Sequence, residues 1–175
     1  AIMVGVGKGA ENGILIKDAE SLELARKVTA IVLDKTGTIT EGRPQVTGVK
    51  LLDDNDVMKS VLISIEKQSE HPLAEAVVKN LEGVPSVALT DFDSITGKGA
   101  KAIYKDETYF VGNKKLLVEH NIAIANSLVE QADQWGKESK TVIWFADSSQ
   151  ALAVIAISDK IKDTSVEAIK ELQDM

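Results

Sequence analysis

Asp34-Lys35-Thr36-Gly37-Thr38-Ile39-Thr40 carries the densest chemistry in the chain. Asp34 follows directly on Ala30-Ile31-Val32-Leu33, a continuously apolar run that reads as a strand, over 29–33, buried on both faces of a parallel sheet. A carboxylate at the carboxyl end of such a strand lies where open α/β sheets bind ligands. An aspartate there can attack a phosphoryl group and form an aspartyl phosphate, provided that cations neutralise the two anions, and Lys35 and Mg2+ can supply that charge. Gly37 lets the backbone approach a phosphate, while Thr36 and Thr38 offer hydroxyls and carbonyls without adding negative charge. The competing reading makes Asp34 the cap of a turn rich in Thr and Gly; the full string behind a buried strand weighs against it.

Two further segments can bind. In Ser69-Glu70-His71-Pro72-Leu73-Ala74 the proline disfavours helix at His71, which places the imidazole at a corner between two helices, five residues after Glu66. From a corner it can reach into a pocket, where neutral imidazole offers one donor and one acceptor to a nucleotide; a plain surface turn is the alternative. Gly97-Lys98-Gly99-Ala100 allows a tight turn whose backbone can approach a flat or anionic group, with a bare hairpin turn as its alternative. Asp159-Lys160-Ile161-Lys162-Asp163 reads as either a domain-junction hinge or a solvated charge run. Gly5-Val6-Gly7-Lys8-Gly9-Ala10 fits Gly-x-Gly-x-x-Ala in form, but no adequate strand precedes it and no dinucleotide unit follows, so a Rossmann reading is rejected. His120 lies in a helical stretch with no second ligand at metal spacing and reads as a surface residue.

The elements that must hold these groups follow from pattern. Asp18 to Lys27 is a short helix with Asp18 as N-cap. After Gly42-Arg43-Pro44 the texture changes: 45–52 alternates as a strand, 56–68 has helical period, and 72–81 is a helix with proline in its first turn. Short strands are predicted at 87–89, 94–95, 100–104 and 108–111, the last two a hairpin around Lys105-Asp106-Glu107. Helices at 114–120 and 124–135 come next, then a second hairpin, 141–146 and 151–157, around Asp147-Ser148-Ser149. An amphipathic helix, 164–175, stops without a cap. The expected architecture is an α/β frame with a parallel sheet, occupying 1–43 and 158–175, into which an α+β domain on an antiparallel sheet, 44–157, is spliced.

Composition limits the partners. The 175 residues are 44% hydrophobic and 27% charged, ordinary globular usage. A net charge of -7 argues against a nucleic-acid backbone binder, which needs clustered Lys and Arg. Absence of cysteine excludes disulfides, zinc-thiolate sites and thiol catalysis within the chain. Aromatic content of 4% leaves few stacking platforms, and no apolar run approaches the roughly 20 residues of a membrane span.

Asp34-Lys35-Thr36-Gly37-Thr38-Ile39-Thr40 resembles the phosphorylation signature of P-type ATPases, and Ser69-Glu70-His71-Pro72-Leu73 resembles a motif of their heavy-metal branch. The likeness covers the whole chain in the family's order, with Gly97 and Gly99 matching a Gly-x-Gly loop beside adenine and Gly112-Asn113 a later Gly-Asn pair. It implies that Asp34 is the phosphate acceptor, that Mg2+ is bound by the Asp34 carboxylate and the Thr36 carbonyl, and that Thr38 lies near the transferred phosphate. It further implies that Glu66 and His71 contact ATP, and that 159–163 is the hinge between the inserted domain and the phosphorylation domain. The resemblance makes the chain a cytoplasmic part of an integral membrane cation pump, with copper export as the first choice. Its partners are then the membrane domain, the actuator domain and the rest of the phosphorylation domain; the transported metal is not bound here. Ala1 to Ala10 becomes the exit of a membrane helix, and the chain an excerpt that binds ATP weakly without turnover. The alternative is a soluble phosphatase of the haloacid dehalogenase type. Such enzymes usually place a second aspartate two residues after the nucleophile, where this chain has Thr36.

Overall fold

The computed structural model describes residues 2–25 and 27–174. These fall into two compact units, one ending at Lys35 and one beginning at Thr36. In the first unit, α1 (Ile2–Glu11) and α2 (Ala19–Ala25) are short helices. The Asp18 side chain accepts a hydrogen bond from the Ser21 N–H at 2.7 Å, the N-cap expected of it; the Ser21 side chain first, and this N–H second, hold its carboxyl below the usual range. Positions 1, 26 and 175, within the segments read as a membrane-helix exit, the first helix and the last helix, lie outside the described residues.

The strand expected over 29–33 is not formed. These residues are irregular, with Val32 98% exposed and Ile31 54% exposed, because no described strand pairs with them to make a ladder. The parallel sheet of which this strand was to be a member is correspondingly not seen among the described residues.

The second unit is built on one six-stranded sheet. Its strands are β1 (Thr40–Leu51), β2 (Thr90–Ile95), β3 (Gly99–Tyr104), β4 (Glu107–Gly112), β5 (Thr141–Ala146) and β6 (Ala151–Ile161), in the order β1-β6-β5-β4-β3-β2 with every pair antiparallel. Helices α3 (Asp56–Glu66) and α4 (Pro72–Asn80) cover one face. Helices α5 (Lys114–Glu119) and α6 (Asn126–Lys137) cover the other. Side chains therefore alternate between two cores: Tyr109, Val111, Ile143, Phe145, Ile155 and Ile157 face α3 and α4, while Phe110, Trp144 and Val154 face α5 and α6. Two-sided cover is what makes the inner strands apolar along their length.

Several element boundaries moved: β2 begins at Thr90, α3 ends at Glu66 and β6 runs on to Ile161. Strand β1 begins at Thr40 and carries Pro44, tolerated because β1 is an edge strand and the pairing with β6 is irregular between Thr40 and Pro44. Val87 to Leu89 is not a strand: Val87 and Leu89 pack on the α3 core, and the Val87 N–H donates to the Ser64 hydroxyl at 2.8 Å instead of to a ladder. Helix α6 starts at Asn126, two residues later than its apolar pattern. The last helix, α7, spans Ser165–Asp174.

Phe145 is 2% exposed at the centre of the α3 core, with its ring stacked on Tyr109 at 5.8 Å between centroids. Phe145→Ala is expected to cost about 3–5 kcal/mol of stability, read from the midpoint of a urea unfolding curve.

Candidate functional site

Four separate segments converge on one cleft of about 320 Å³ in the second unit, whose lining includes Glu66, His71, Gly97, Gly99, Gly112 and Asn113. A volume of this size is within the range of small-ligand sites. Each segment is placed by an identifiable local cause.

Gly99 and Gly112 are cross-strand partners in β3 and β4, and there the two backbones nearly touch. A Cβ on Gly99, whose φ is +148°, would lie 2.0 Å from the Val111 carbonyl oxygen, and one on Gly112 would lie 2.1 Å from that of Lys98. Gly97 precedes them with φ +70°, in a turn closed by the Lys98 N–H donating to the Ile95 carbonyl at 2.9 Å. Asn113 fastens this turn to α5. Its N–H donates to the Lys98 carbonyl at 2.8 Å, its Nδ2 donates to the Gly97 carbonyl at 2.9 Å, and its Oδ1 accepts from the Leu116 N–H at 3.1 Å as the α5 N-cap.

On the opposite wall His71 is the N-cap of α4, its Nδ1 accepting from the Leu73 N–H at 3.2 Å. An accepting Nδ1 carries no proton, so the neutral imidazole presents Nε2–H as a donor. Glu66 ends α3 and is 5% exposed; no protein group among the described residues hydrogen-bonds its carboxyl, whose oxygens keep some contact with solvent. Burial raises its pKa from 4.5 to about 7. The cleft also contains Ser69, which opens the motif around His71, Lys98, which stands between the two glycines, and Thr96 and Thr141, which no sequence signal singled out.

The residues read for phosphoryl chemistry are placed differently. Asp34 and Lys35 are exposed and close the first unit, whereas Thr36 and Thr38 are exposed at the start of the second. Thr36 and Gly37 have non-helical backbone, with Gly37 at φ +77°. The loop they begin is pinned from the far end of the chain: Lys162 Nζ donates to the Gly37 carbonyl at 2.7 Å, the Lys162 N–H to the Ile39 carbonyl at 3.0 Å, and the Ser165 hydroxyl to the same carbonyl at 2.8 Å. The Asp159 carboxylate accepts from the Thr40 hydroxyl at 2.6 Å and from the N–H groups of Gly42 and Arg43, both at 3.0 Å. Among the described residues no three His, Cys, Asp or Glu side chains gather as a metal cluster. A Mg2+ ion takes few protein ligands and completes its octahedron with water and phosphate, so one carboxylate and one carbonyl oxygen are a fitting donor set.

The profile of the haloacid dehalogenase-like hydrolases matches residues 28–175, and the chain belongs to that family. The curated relatives that it matches over its whole length at about 40% identity include copper-transporting P-type ATPases. It is 42% identical, over all of this chain, to the copper-exporting P-type ATPase of Staphylococcus epidermidis. It is also 42% identical, over 99% of this chain, to the protein named "Probable copper-importing P-type ATPase A" of Enterococcus hirae. The chain spans 22% and 24% of the length of these two relatives. Among solved structures, a zinc-transporting PIB-type ATPase in its E2.Pi state superposes with a TM-score of 0.74 at 25% identity, over 99% of this chain and 28% of that one. The catalytic domain of a CPx-ATPase, solved in a study of conformational change on nucleotide binding, shares the fold with a TM-score of 0.70 at 24% identity, over 97% of this chain and 58% of that one. No helix of the described residues is long and apolar enough to cross a membrane.

Burial of Glu66 fixes the sign of one pH effect. Below about pH 4.5 the carboxyl is protonated whether the chain is folded or not; between 4.5 and about 7 the unfolded chain ionises first, so stability falls as pH rises, and above 7 the penalty is complete. Glu66→Gln is expected to stabilise the ligand-free protein at pH 8 by on the order of 2–3 kcal/mol, the gain vanishing near pH 4.5 in parallel urea titrations. Gly99→Ala is expected to abolish folding or open the β3–β4 pairing, seen as lost amide protection in β3 and β4 by hydrogen exchange, because its Cβ would overlap the Val111 carbonyl.

Proposed function

We propose that this chain is the ATP-binding and phosphorylation region of a heavy-metal P-type ATPase that exports copper from the cytoplasmic side of a membrane, through an aspartyl phosphate at Asp34. The observation that carries the reading is the convergence of Glu66, His71, Gly97, Gly99, Gly112 and Asn113 on one cleft. ATP lies across these residues, with adenine between the glycine backbone and the His71 and Glu66 wall. His71 donates through Nε2 while Leu73 holds the ring in place. The Asp34 carboxylate attacks the γ-phosphorus as the bond to the β,γ-bridging oxygen breaks, and ADP leaves. Asp34 and the Thr36 carbonyl would hold Mg2+, which supplies charge neutralisation between carboxylate and phosphate; Lys35 adds to it, and Thr38 lies near the transferred group.

Thr36 stands where a phosphatase of this superfamily carries its second aspartate, so no side-chain acid or base two residues from the nucleophile speeds hydrolysis, and the acyl phosphate persists. Persistence suits a pump, in which the phosphoenzyme must outlive a conformational step. Copper is favoured by the names of the relatives, which describe both export and import. The partners are the membrane and actuator domains of the same pump and the remainder of its phosphorylation domain.

Titration calorimetry of the isolated chain is expected to show weak ATP binding that His71→Ala and Glu66→Ala each reduce by about tenfold or more, the loss of roughly one hydrogen bond to a buried group. The chain alone is expected not to turn ATP over. Unchanged affinity in both variants would sink the cleft assignment. In the full-length pump Asp34→Asn is expected to abolish acid-stable label from γ-labelled ATP.

A further inference from the structure

We propose that Glu66 serves the cleft as a neutral carboxylic acid, pairing with the edge of adenine through one donor and one acceptor, so that nucleotide binding is coupled to a proton on this side chain. The inference rests on the reading of the cleft as an ATP site and adds to it the protonation state of one wall.

Three observations carry it. Glu66 is the only charged side chain among the buried residues of the described chain. The buried hydroxyls of Thr40, Ser64 and Ser165 all donate hydrogen bonds, to Asp159, Ser60 and Ile39 respectively, whereas no protein group among the described residues hydrogen-bonds the Glu66 carboxyl, whose oxygens keep only a narrow contact with solvent through the cleft. It lines the cleft. A largely buried carboxylate with no protein partner is costly to keep ionised, and protonation is the ordinary relief.

No counter-charge offers another relief. Of the other cleft residues only His71 and Lys98 are titratable. His71 has Nδ1 committed to the Leu73 N–H, and the Lys98 ammonium is paired with Glu119 at 2.6 Å. The charged groups on the elements packed against α3 are Glu75 and Lys79 of α4, Lys101 of β3 and Glu107 of β4, and none of them lines the cleft. In the corner after α3, Lys67 donates to the Ser86 hydroxyl at 2.7 Å, and Glu70 is exposed and outside the lining. Burial alone accounts for the raised pKa of Glu66.

The ligand's chemistry points the same way. Adenine presents an N6–H donor beside a ring-nitrogen acceptor on either edge, N1 or N7. A carboxylic acid matches that pair, its carbonyl oxygen accepting from N6–H and its O–H donating to the ring nitrogen. A carboxylate has acceptors only and would set one oxygen against the ring nitrogen's lone pair. A base entering the cleft also removes the carboxyl's remaining solvent access, which disfavours the ionised form further. Where the free protein is ionised, each nucleotide bound then brings one proton from solvent onto Glu66.

The test is calorimetric titration of the intact chain with ATP from about pH 7 to 9, in buffer pairs of different ionisation enthalpy, for the parent and for Glu66→Gln. The amide is a permanently neutral side chain with one donor and one acceptor. The parent's affinity is expected to fall by on the order of ten- to fifty-fold across this range, following the protonated fraction. Proton uptake should approach one per nucleotide at the upper end. Glu66→Gln should show neither effect beyond the titration of ATP itself, which is common to both proteins. Identical pH profiles in the two proteins, or proton release and tighter binding by the parent at high pH, would overturn the proposal while leaving the ATP site standing. Failure of both to bind ATP at any pH would remove the site and the proposal with it. The parent's proton count decides the matter even where the amide binds poorly.

Discussion

The cleft depends on one close approach. Gly99 and Gly112 face each other across β3 and β4 with space for hydrogen atoms alone, and the rest of the wall is a consequence. Because the two backbones touch, the Gly97-Lys98 turn comes within hydrogen-bond reach of Asn113, whose three bonds join it to the first turn of α5. Any side chain at either glycine would push β3 from β4 and take that junction with it. Exposed backbone, rather than a stacked ring, forms this wall, as the low aromatic content foreshadows.

The opposite wall is organised by an energetic conflict. Helix α3 buries Val61, Leu62 and Ile65 on the sheet and, by its length, carries Glu66 into the same low-dielectric region. Burying this carboxyl, which no protein group hydrogen-bonds, costs stability at neutral pH. His71 is held on different terms, its ring fixed by the backbone N–H that it caps. One wall residue is thus oriented by backbone, and the other has no hydrogen-bond partner among the described residues.

Most of the six-stranded sheet was legible because its signals are local. Turn residues at 105–106 and 147–149 and short alternating strands mark two hairpins, and Pro72 and Asn113 mark helix starts. The misreading at 29–33 has a definite cause. Ala30 to Leu33 and Ala151 to Ile157 are both continuous apolar runs, yet the first is irregular and the second is an inner antiparallel strand covered by helices on both faces. Such a run reports two-sided burial or the capacity for it; strand direction and the existence of a ladder partner are not written in it. Val87 and Leu89 teach the same lesson, since they are apolar because they pack and not because they pair. Thr96 and Thr141 reach the cleft through tertiary placement alone, and nothing in their neighbours' spacing announces it.

The two chain ends of the six-stranded sheet lie side by side. The chain enters at Thr40 and leaves at Ile161, and these two residues are partners in adjacent antiparallel strands. An insertion whose entry and exit are neighbours leaves its host's two chain ends side by side. Asp159 clamps that doorway by accepting from Thr40, Gly42 and Arg43, and Lys162 and Ser165, just beyond it, hold the carbonyls of Gly37 and Ile39. The segment 159–163, ambiguous as a string of charges, is in space a set of ties from the end of β6 to the loop carrying Thr36 and Thr38. That loop cannot shift relative to β1 and β6 without breaking charge-assisted bonds, which are among the stronger hydrogen bonds available to a partly exposed site. A movement of this sheet is therefore delivered to the loop carrying Thr36 and Thr38 as a displacement of backbone, and not dissipated in a slack linker.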